Sequence, residues 1–403
     1  MSKQIQDAYI VAATRLPVAK KNGMFRHVRP DDMLAHAIRA VLAQAPGLDP
    51  ARIGDVIGDV IVGCAMPEAE QGMNVARIGL LLAGLPNTVP GMTINRFCSS
   101  GVQAVADAAN QIRLGLADVM IAAGTESMTV MPQIMGNKMA MNPAIFEKEE
   151  NLGIAYGMGL TAEKVAAQWK ISREQQDAFA VESHRRAVAA IAAGHFKAEI
   201  TPYAIKEHLP DLKTGQIVVR ERVADTDEGP RPDSSVEKLA KLKPVFHARG
   251  SVTAGNSSQM SDGAAAVLLM SERAMKEHGL MPLARFAGYA VGGVAPEIMG
   301  IGPVAAIPRV LEQVGIRQGD LDWIELNEAF AAQSLAVIRE LGLDPARVNP
   351  LGGAIALGHP LGATGAIRTA TVVHGLRRTG GRYAMVTMCI GTGMGAAGIF
   401  ERV

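Results

Sequence analysis

An internal repeat constrains this chain before any motif is read. "DVIVGCA" from Asp59 matches "DWIELNE" from Asp322, and "CSSGVQAVADAANQI" from Cys98 lines up with "GATGAIRTATVVHGL" from Gly362, so that Gly101 meets Gly365 about 264 residues on. A short apolar run follows each copy, "VMIAAG" from Val119 and "AMVTMC" from Ala384. The order of elements is shared as well. In the first half "AYIVAATR", "PDDMLAHAIRAVLAQ" and "IGDVIVGCA" read as strand, helix and strand; "RFAGYAV", "PVAAIPRVLEQVG" and "LDWIEL" answer them in the second. Behind Cys98, Val102, Val105, Ala109, Ile112 and Leu116 recur at three- and four-residue intervals and predict a helix with one apolar face. Such a duplication predicts two α/β halves, 1–270 and 271–403, each with a mostly parallel sheet covered by helices.

A segment at about 125–250 has no counterpart in the second half. It opens rich in methionine and becomes charged. Within it, "SREQQDAFAVESHRRAVAAIAAG" predicts a helix with a capping box at Ser172 and Gln175 and an end at Gly194, its charges forming a solvated face. "ADTDEGPRPDSS" reads as loop. An insertion at the rim of a sheet is suited to cover a substrate.

The chain has 403 residues, 48% hydrophobic and 20% charged, with a net charge of +1. This is a globular profile with no pull toward nucleic acid or membrane. The N-terminus has neither a secretory core nor a transit-peptide pattern, and no run reaches the length of a membrane span, so a cytoplasmic protein is expected. Cys64, Cys98 and Cys389 show no C-x-x-C spacing and no paired histidines nearby. Neither zinc nor a disulfide framework is expected, and the compartment reads as reducing.

The loop "MCIGTGMG" from Met388 tests a nucleotide hypothesis. A dinucleotide fingerprint needs a helix after the glycines, whose amides hold a pyrophosphate. Here "AAGIFERV" follows, a strand, and the stretch reads as a glycine-rich hairpin with Cys389 at the end of its first strand. Cys98 has another setting: the strand pattern "MTINRF" precedes it and a helix follows, so its thiol stands at a helix N-terminus, where dipole and amides favour the thiolate of a nucleophile. A thiol nucleophile wants a base. His184, His195, His208 and His278 read as surface, and His27, His36, His247 and His374 have no distinguishing surroundings. His359 lies in "GGAIALGHPLGATG", a run of small residues beside the repeat-equivalent of the Cys98 turn. If the halves pack as pseudo-symmetric mates, Cys98 and His359 meet at one end of their sheets. Asn327 and Glu328 follow the strand "DWIEL" and either cap the next helix, the simpler reading, or orient something catalytic.

Taken together, "NRFCSSG", "VTAGNSSQMSDGAAA", "NEAFAAQ", "NPLGGAIALGHPLGATG" and "MCIGTGMGAAGIFER" resemble the thiolases, in order and along the whole chain. The resemblance implies a five-layered α/β/α/β/α thiolase fold with an inserted loop domain, and acyl transfer on coenzyme A, which is a substrate, so that no cofactor or metal is required. Carried over, Cys98 would be the acylated nucleophile, His359 its base, and Cys389 the acid/base at the alpha carbon. Asn327 would hold a water forming one oxyanion hole with His359, and the amides of Cys98 and Gly391 would form the other. For CoA, the resemblance points to Ser258, Arg231, Phe246, Ala254, Met158, Ala329 and Phe330. Family members form dimers or tetramers, and some join a hydratase/dehydrogenase subunit.

Acetoacetyl-type members commonly carry a histidine where this chain has Gly157, and their segment corresponding to Glu126–Met158 is longer. Both departures point to a degradative 3-ketoacyl-CoA thiolase of fatty-acid beta-oxidation, with a biosynthetic acetyl-CoA C-acetyltransferase as the alternative. A decarboxylating condensing enzyme would want histidines or a His/Asn pair in place of Cys389. A non-catalytic acyl-CoA-binding relative would have lost a catalytic position, and none is lost.

Overall fold

The computed structural model describes residues 5–130 and 141–403. The methionine-rich opening of the inserted segment extends into 131–140, outside the described residues. The chain begins with β1 (Ala8–Arg15), a two-residue β2 (Ala19–Lys20), β3 (Ile57–Gly63), β4 (Gly91–Ile94) and β5 (Val119–Ser127). It makes a separate hairpin of β6 (Tyr203–Pro210) and β7 (Ile217–Ala224), then returns as β8 (Ser261–Ser271). In the first sheet the strands lie in the order β4-β3-β5-β8-β1, and β8 alone of these five runs against its neighbours. The second half repeats the plan with β9 (Ala284–Gly293), β10 (Leu321–Leu326), β11 (Tyr383–Ile390) and β12 (Met394–Glu401), in the order β10-β11-β12-β9, with β12 reversed. A short antiparallel pairing of β9 with β1, at Tyr9–Arg285 and Ile10–Ala284, makes the two halves continuous at that edge. A parallel bridge between Ile324 and Val348 stands at the place that β4 takes in the first half.

Three large apolar cores hold five layers together, the middle one packing on both sides of the central helices. Helices Pro30–Ala43 and Val75–Leu82 cover the outer face of the first sheet through Met33, Leu34, Ile38 and Leu80. Helices Gly302–Val314 and Ala331–Leu341 cover the second through Ile307, Val310 and Val337. Between the sheets lie helices Ser100–Arg113 and Leu361–Thr379, in a core rich in alanine. The strand pattern explains the layering. Along β5, Val119, Ile121 and Ala123 face the outer core while Met120 and Ala122 face the inner one, so a strand buried on both sides reads as one apolar run.

The two central helices approach to backbone contact. A methyl group added at Gly101 would lie 2.5 Å from the Ala366 nitrogen, and one at Gly365 would lie 2.0 Å from the Val102 nitrogen. The two glycines matched by the repeat are thus the ones that let its copies touch.

The insertion leaves the first half between β5 and β8. At the equivalent place in the second half, β11 and β12 are joined by the tight turn Gly391–Gly393. The long excursion and the Cys389 hairpin therefore spring from corresponding ends of the two sheets. The helix Arg173–Ala192 has the expected capping box at Ser172 and Gln175, and Gly194 follows it at φ 69°. Among the described residues no helix is long and apolar enough to cross a membrane.

Candidate active site

Cys98 lies in the turn Phe97–Ser99 between β4 and the helix Ser100–Arg113. Phe97 takes φ 44°, a left-handed backbone unusual for a non-glycine residue. Side chains hold the bend: Asn95 Oδ1 accepts the Phe97 N–H at 2.8 Å, and Ser100 Oγ accepts the Arg96 N–H at 2.8 Å while donating to the Phe97 carbonyl at 2.7 Å. The helix terminus does not win the thiol, contrary to expectation. Burial pushes Cys98 up to about 11, against the N–H groups of Gly391 and of Cys98 itself, which both point at the sulfur. The resting group is a thiol.

Cys389 is the last residue but one of β11, opposite Gly395, and the turn that follows has Thr392 and Gly393 at φ 70° and 96°. As the sequence indicates, no helix follows these glycines, so they have no amide cradle for a phosphate. Cys389 is fully buried among Ala162, Val252, Met299, Ala329 and Phe330. Its thiol is not the unperturbed group that the sequence suggests: burial, and then the neighbouring Cys98, push it far above the ordinary range.

His359 is 4% exposed. Its Nδ1 lies 2.7 Å from Thr364 Oγ1, one helical turn on, and its Nε2 lies 3.3 Å from Asn327 Nδ2. An amide N–H directed at Nε2 makes that nitrogen the acceptor, so Nδ1 carries the proton and donates it to Thr364. Burial, and then Arg368, hold the imidazole down to about 3. It is an uncharged imidazole.

Asn327 and Glu328 do not cap the next helix, which begins at Ala331 behind Phe330, so the simpler reading fails. Asn327 instead turns toward His359, and its buried Oδ1 has no hydrogen-bond partner among the described residues. An unmet buried acceptor costs about 1–3 kcal/mol, which marks a group whose partner is water or substrate. Glu328 ties the segment leading to His359 in place: it accepts from Ser183 Oγ at 2.7 Å, Asn349 Nδ2 at 2.8 Å and the Ile355 N–H at 3.2 Å.

The residues proposed for CoA fall in two groups. Met158 lies beside Gly391, Phe246 meets Phe330 edge-on at 6.2 Å, and Ser258 donates its N–H to the Ala329 carbonyl at 2.9 Å. These five border the Cys389 core. Arg231 and Ala254 line a separate cavity of about 160 Å³ with His184. His184 is buried rather than on the surface, and its Nδ1 accepts the Arg231 N–H at 3.1 Å. Sequence reasoning missed Thr364, although its position five residues after His359 places it one turn into the helix.

Comparison with known proteins adds to this geometry. Residues 8–273 match the family model described as "Thiolase, N-terminal domain", and residues 280–402 match "Thiolase, C-terminal domain". A 3-ketoacyl-CoA thiolase of Bacillus subtilis is 49% identical over 404 residues, which cover 98% of this chain and all of that protein. Human mitochondrial 3-ketoacyl-CoA thiolase superposes with a TM-score of 0.87 at 39% identity, over the full length of both chains. The dimeric peroxisomal thiolase of Saccharomyces cerevisiae does so with a TM-score of 0.89 at 40% identity, over all of this chain and 99% of that one.

Proposed function

The chain belongs to the thiolase family, and on that premise we propose that two cysteines and one neutral histidine cleave a 3-ketoacyl-CoA with CoA to acetyl-CoA and a shortened acyl-CoA. The observation that carries this reading is the convergence on one hairpin of Cys98, with two amides aimed at its sulfur, and Cys389, buried beside it. The protein is an acetyl-CoA C-acyltransferase.

His359 Nε2 takes the proton of Cys98, whose sulfur attacks the keto carbon. The N–H groups of Cys98 and Gly391, already directed at that sulfur, receive the oxyanion that forms beside it. Collapse breaks the bond between the alpha and beta carbons, and the electron pair leaves as the enolate of acetyl-CoA. That enolate oxygen is met by His359 and a water on Asn327, which accounts for the open acceptor on that amide. Cys389 gives its proton to the carbon. A thiol held well above its ordinary range keeps that proton until a carbanion-like centre demands it. A second CoA then removes the acyl group from Cys98, completing a ping-pong cycle that uses CoA as substrate and no cofactor.

We read the acyl preference as longer than acetyl: Gly157, next to Met158, is exposed, and a side chain begun there would meet no described atom within 4 Å. We assign the protein to beta-oxidation in the cytoplasm, in keeping with its three free cysteines. The short edge strand β4, which carries the exposed Met92 and to which Asn74, next to the exposed Met73, is hydrogen-bonded, supports a homodimer.

The test is turnover of acetoacetyl-CoA and of a longer 3-ketoacyl-CoA with CoA, followed by loss of ketoacyl absorbance. Activity on neither defeats the reading. Cys98→Ala should abolish the acyl-enzyme. Cys389→Ala should still be acylated but should not exchange the alpha protons of acetyl-CoA; normal exchange would remove Cys389 from its role.

A further inference from the structure

Glu126 is a carboxylate that the mechanism above does not use. It sits near the end of β5, 1% exposed, and no lysine or arginine pairs with it among the described residues. Its partners are all donors. Oε2 accepts the N–H groups of Ala65 at 2.7 Å and Gly362 at 2.9 Å; Oε1 accepts from Gln71 Nε2 at 2.5 Å and the Met66 N–H at 3.3 Å, with the Cys64 thiol at 3.8 Å. The Gln71 amide is fixed in this orientation because its oxygen accepts the Ser127 N–H at 2.9 Å. Burial pushes this carboxyl group up, but four N–H donors oppose the rise, and a protonated group would find no acceptor among these partners beyond the weak Cys64 sulfur, so the donor set calls for the anion.

The donors come from both halves of the repeat. Gly362 is the second residue of the second central helix, three residues after His359. Ala65 belongs to the turn after β3, and its carbonyl accepts from Asn95 Nδ2 at 3.0 Å; the same Asn95 holds the Phe97 N–H beside Cys98. Gly362 is in close contact with this turn, since a methyl group on it would lie 2.6 Å from the Ala65 nitrogen. We propose that Glu126 is the positioning residue of the reaction, an ionised carboxylate that fixes the Cys98 turn of one half against the His359 turn of the other.

This role rests on the functions assigned to Cys98 and His359. It carries an electrostatic consequence, because an uncompensated anion near Cys98 disfavours the thiolate. The titratable groups around the pair are Cys64, Cys98, Cys389 and His359, and the cation bearing on His359 is Arg368.

The experiment compares the wild type with Glu126→Asp and Glu126→Gln. Wild type is first treated with acetoacetyl-CoA, and acylation of Cys98 is read by mass; its absence overturns the assigned function and this role with it. Given that adduct, Glu126→Asp keeps the charge but shortens the reach. Its kcat should fall about tenfold or more with KM within about twofold, and the pH midpoint for iodoacetamide alkylation of Cys98 should not move. Glu126→Gln should lose kcat similarly and shift that midpoint to lower pH. A general loosening would not make Cys98 more reactive at lower pH. Wild-type kcat in either variant, or a Glu126→Gln midpoint that stays put or rises, overturns the proposal. Should Glu126→Gln not fold, the kcat of Glu126→Asp decides.

Discussion

Replacing Gly365 by alanine tests whether contact between the central helices sets catalytic geometry. The added methyl would sit 2.0 Å from the Val102 nitrogen and 2.8 Å from the Gly101 carbonyl carbon. Real Cβ contacts do not come below 3.0 Å, and the obstacle is backbone, which cannot rotate away. The helices must therefore part by about 1 Å. Alanine would by itself favour the helix by about 1 kcal/mol, so the net loss is the overpacking cost of about 1–3 kcal/mol less this gain. Activity should suffer more than stability, because Cys98 and His359 sit just ahead of these two helices and a displacement of about 1 Å costs roughly 10²-fold in rate. The assay pairs kcat and KM for acetoacetyl-CoA with a urea unfolding curve. Gly319→Ala is the control, since a methyl there meets nothing within 4 Å. If Gly365→Ala retained wild-type kcat and an unchanged urea midpoint, the two halves would not be docked through this contact, and the reasoning fails.

Arg15 donates to Glu199 at 2.7 Å and to Asp227 at 2.7 and 2.9 Å, all three buried, and so pins the insertion to β1. Arg15→Met leaves two carboxylates without their cation and should cost about 3–5 kcal/mol in urea unfolding. Burial pushes Glu325 up to about 7 despite Arg368. A folded value above the unfolded one favours the protonated form, a contribution present at low pH and lost as pH rises through 7. Glu325→Gln should therefore match wild-type stability near pH 4 and exceed it above pH 7; a constant difference across that range would contradict the assignment. Gly157→His should fill the open space by Met158 and lower kcat/KM for a longer 3-ketoacyl-CoA at least about tenfold relative to acetoacetyl-CoA, read from the two progress curves.

The layered fold was legible because its signals are local and doubled. Strand periodicity, capping at Ser172 and the small residues around Gly101 and Gly365 each act within a few positions, and the second copy repeats them. The Cys98 turn and the Cys389 hairpin could be placed for the same reason. What escaped was the environment. A helix terminus behind Cys98 is visible in sequence, but the burial that outweighs it is assembled from segments hundreds of residues apart. The charged neighbours of His184 disguise a position on the buried face of its helix, with Ser183, Ala187 and Ala190. Glu328 looked like a capping residue because its partners, Ser183 and Asn349, lie on segments that no local pattern connects to it.

Cys98 and His359, the proposed nucleophile and base, stand on opposite members of a duplicated pair, and the two central helices that join them touch through alanine and glycine. Neither copy holds a complete catalyst. Turnover in this molecule is consequently a readout of docking: conditions that loosen the middle layer should silence the chemistry while both sheets, each with its own outer helices and core, still stand.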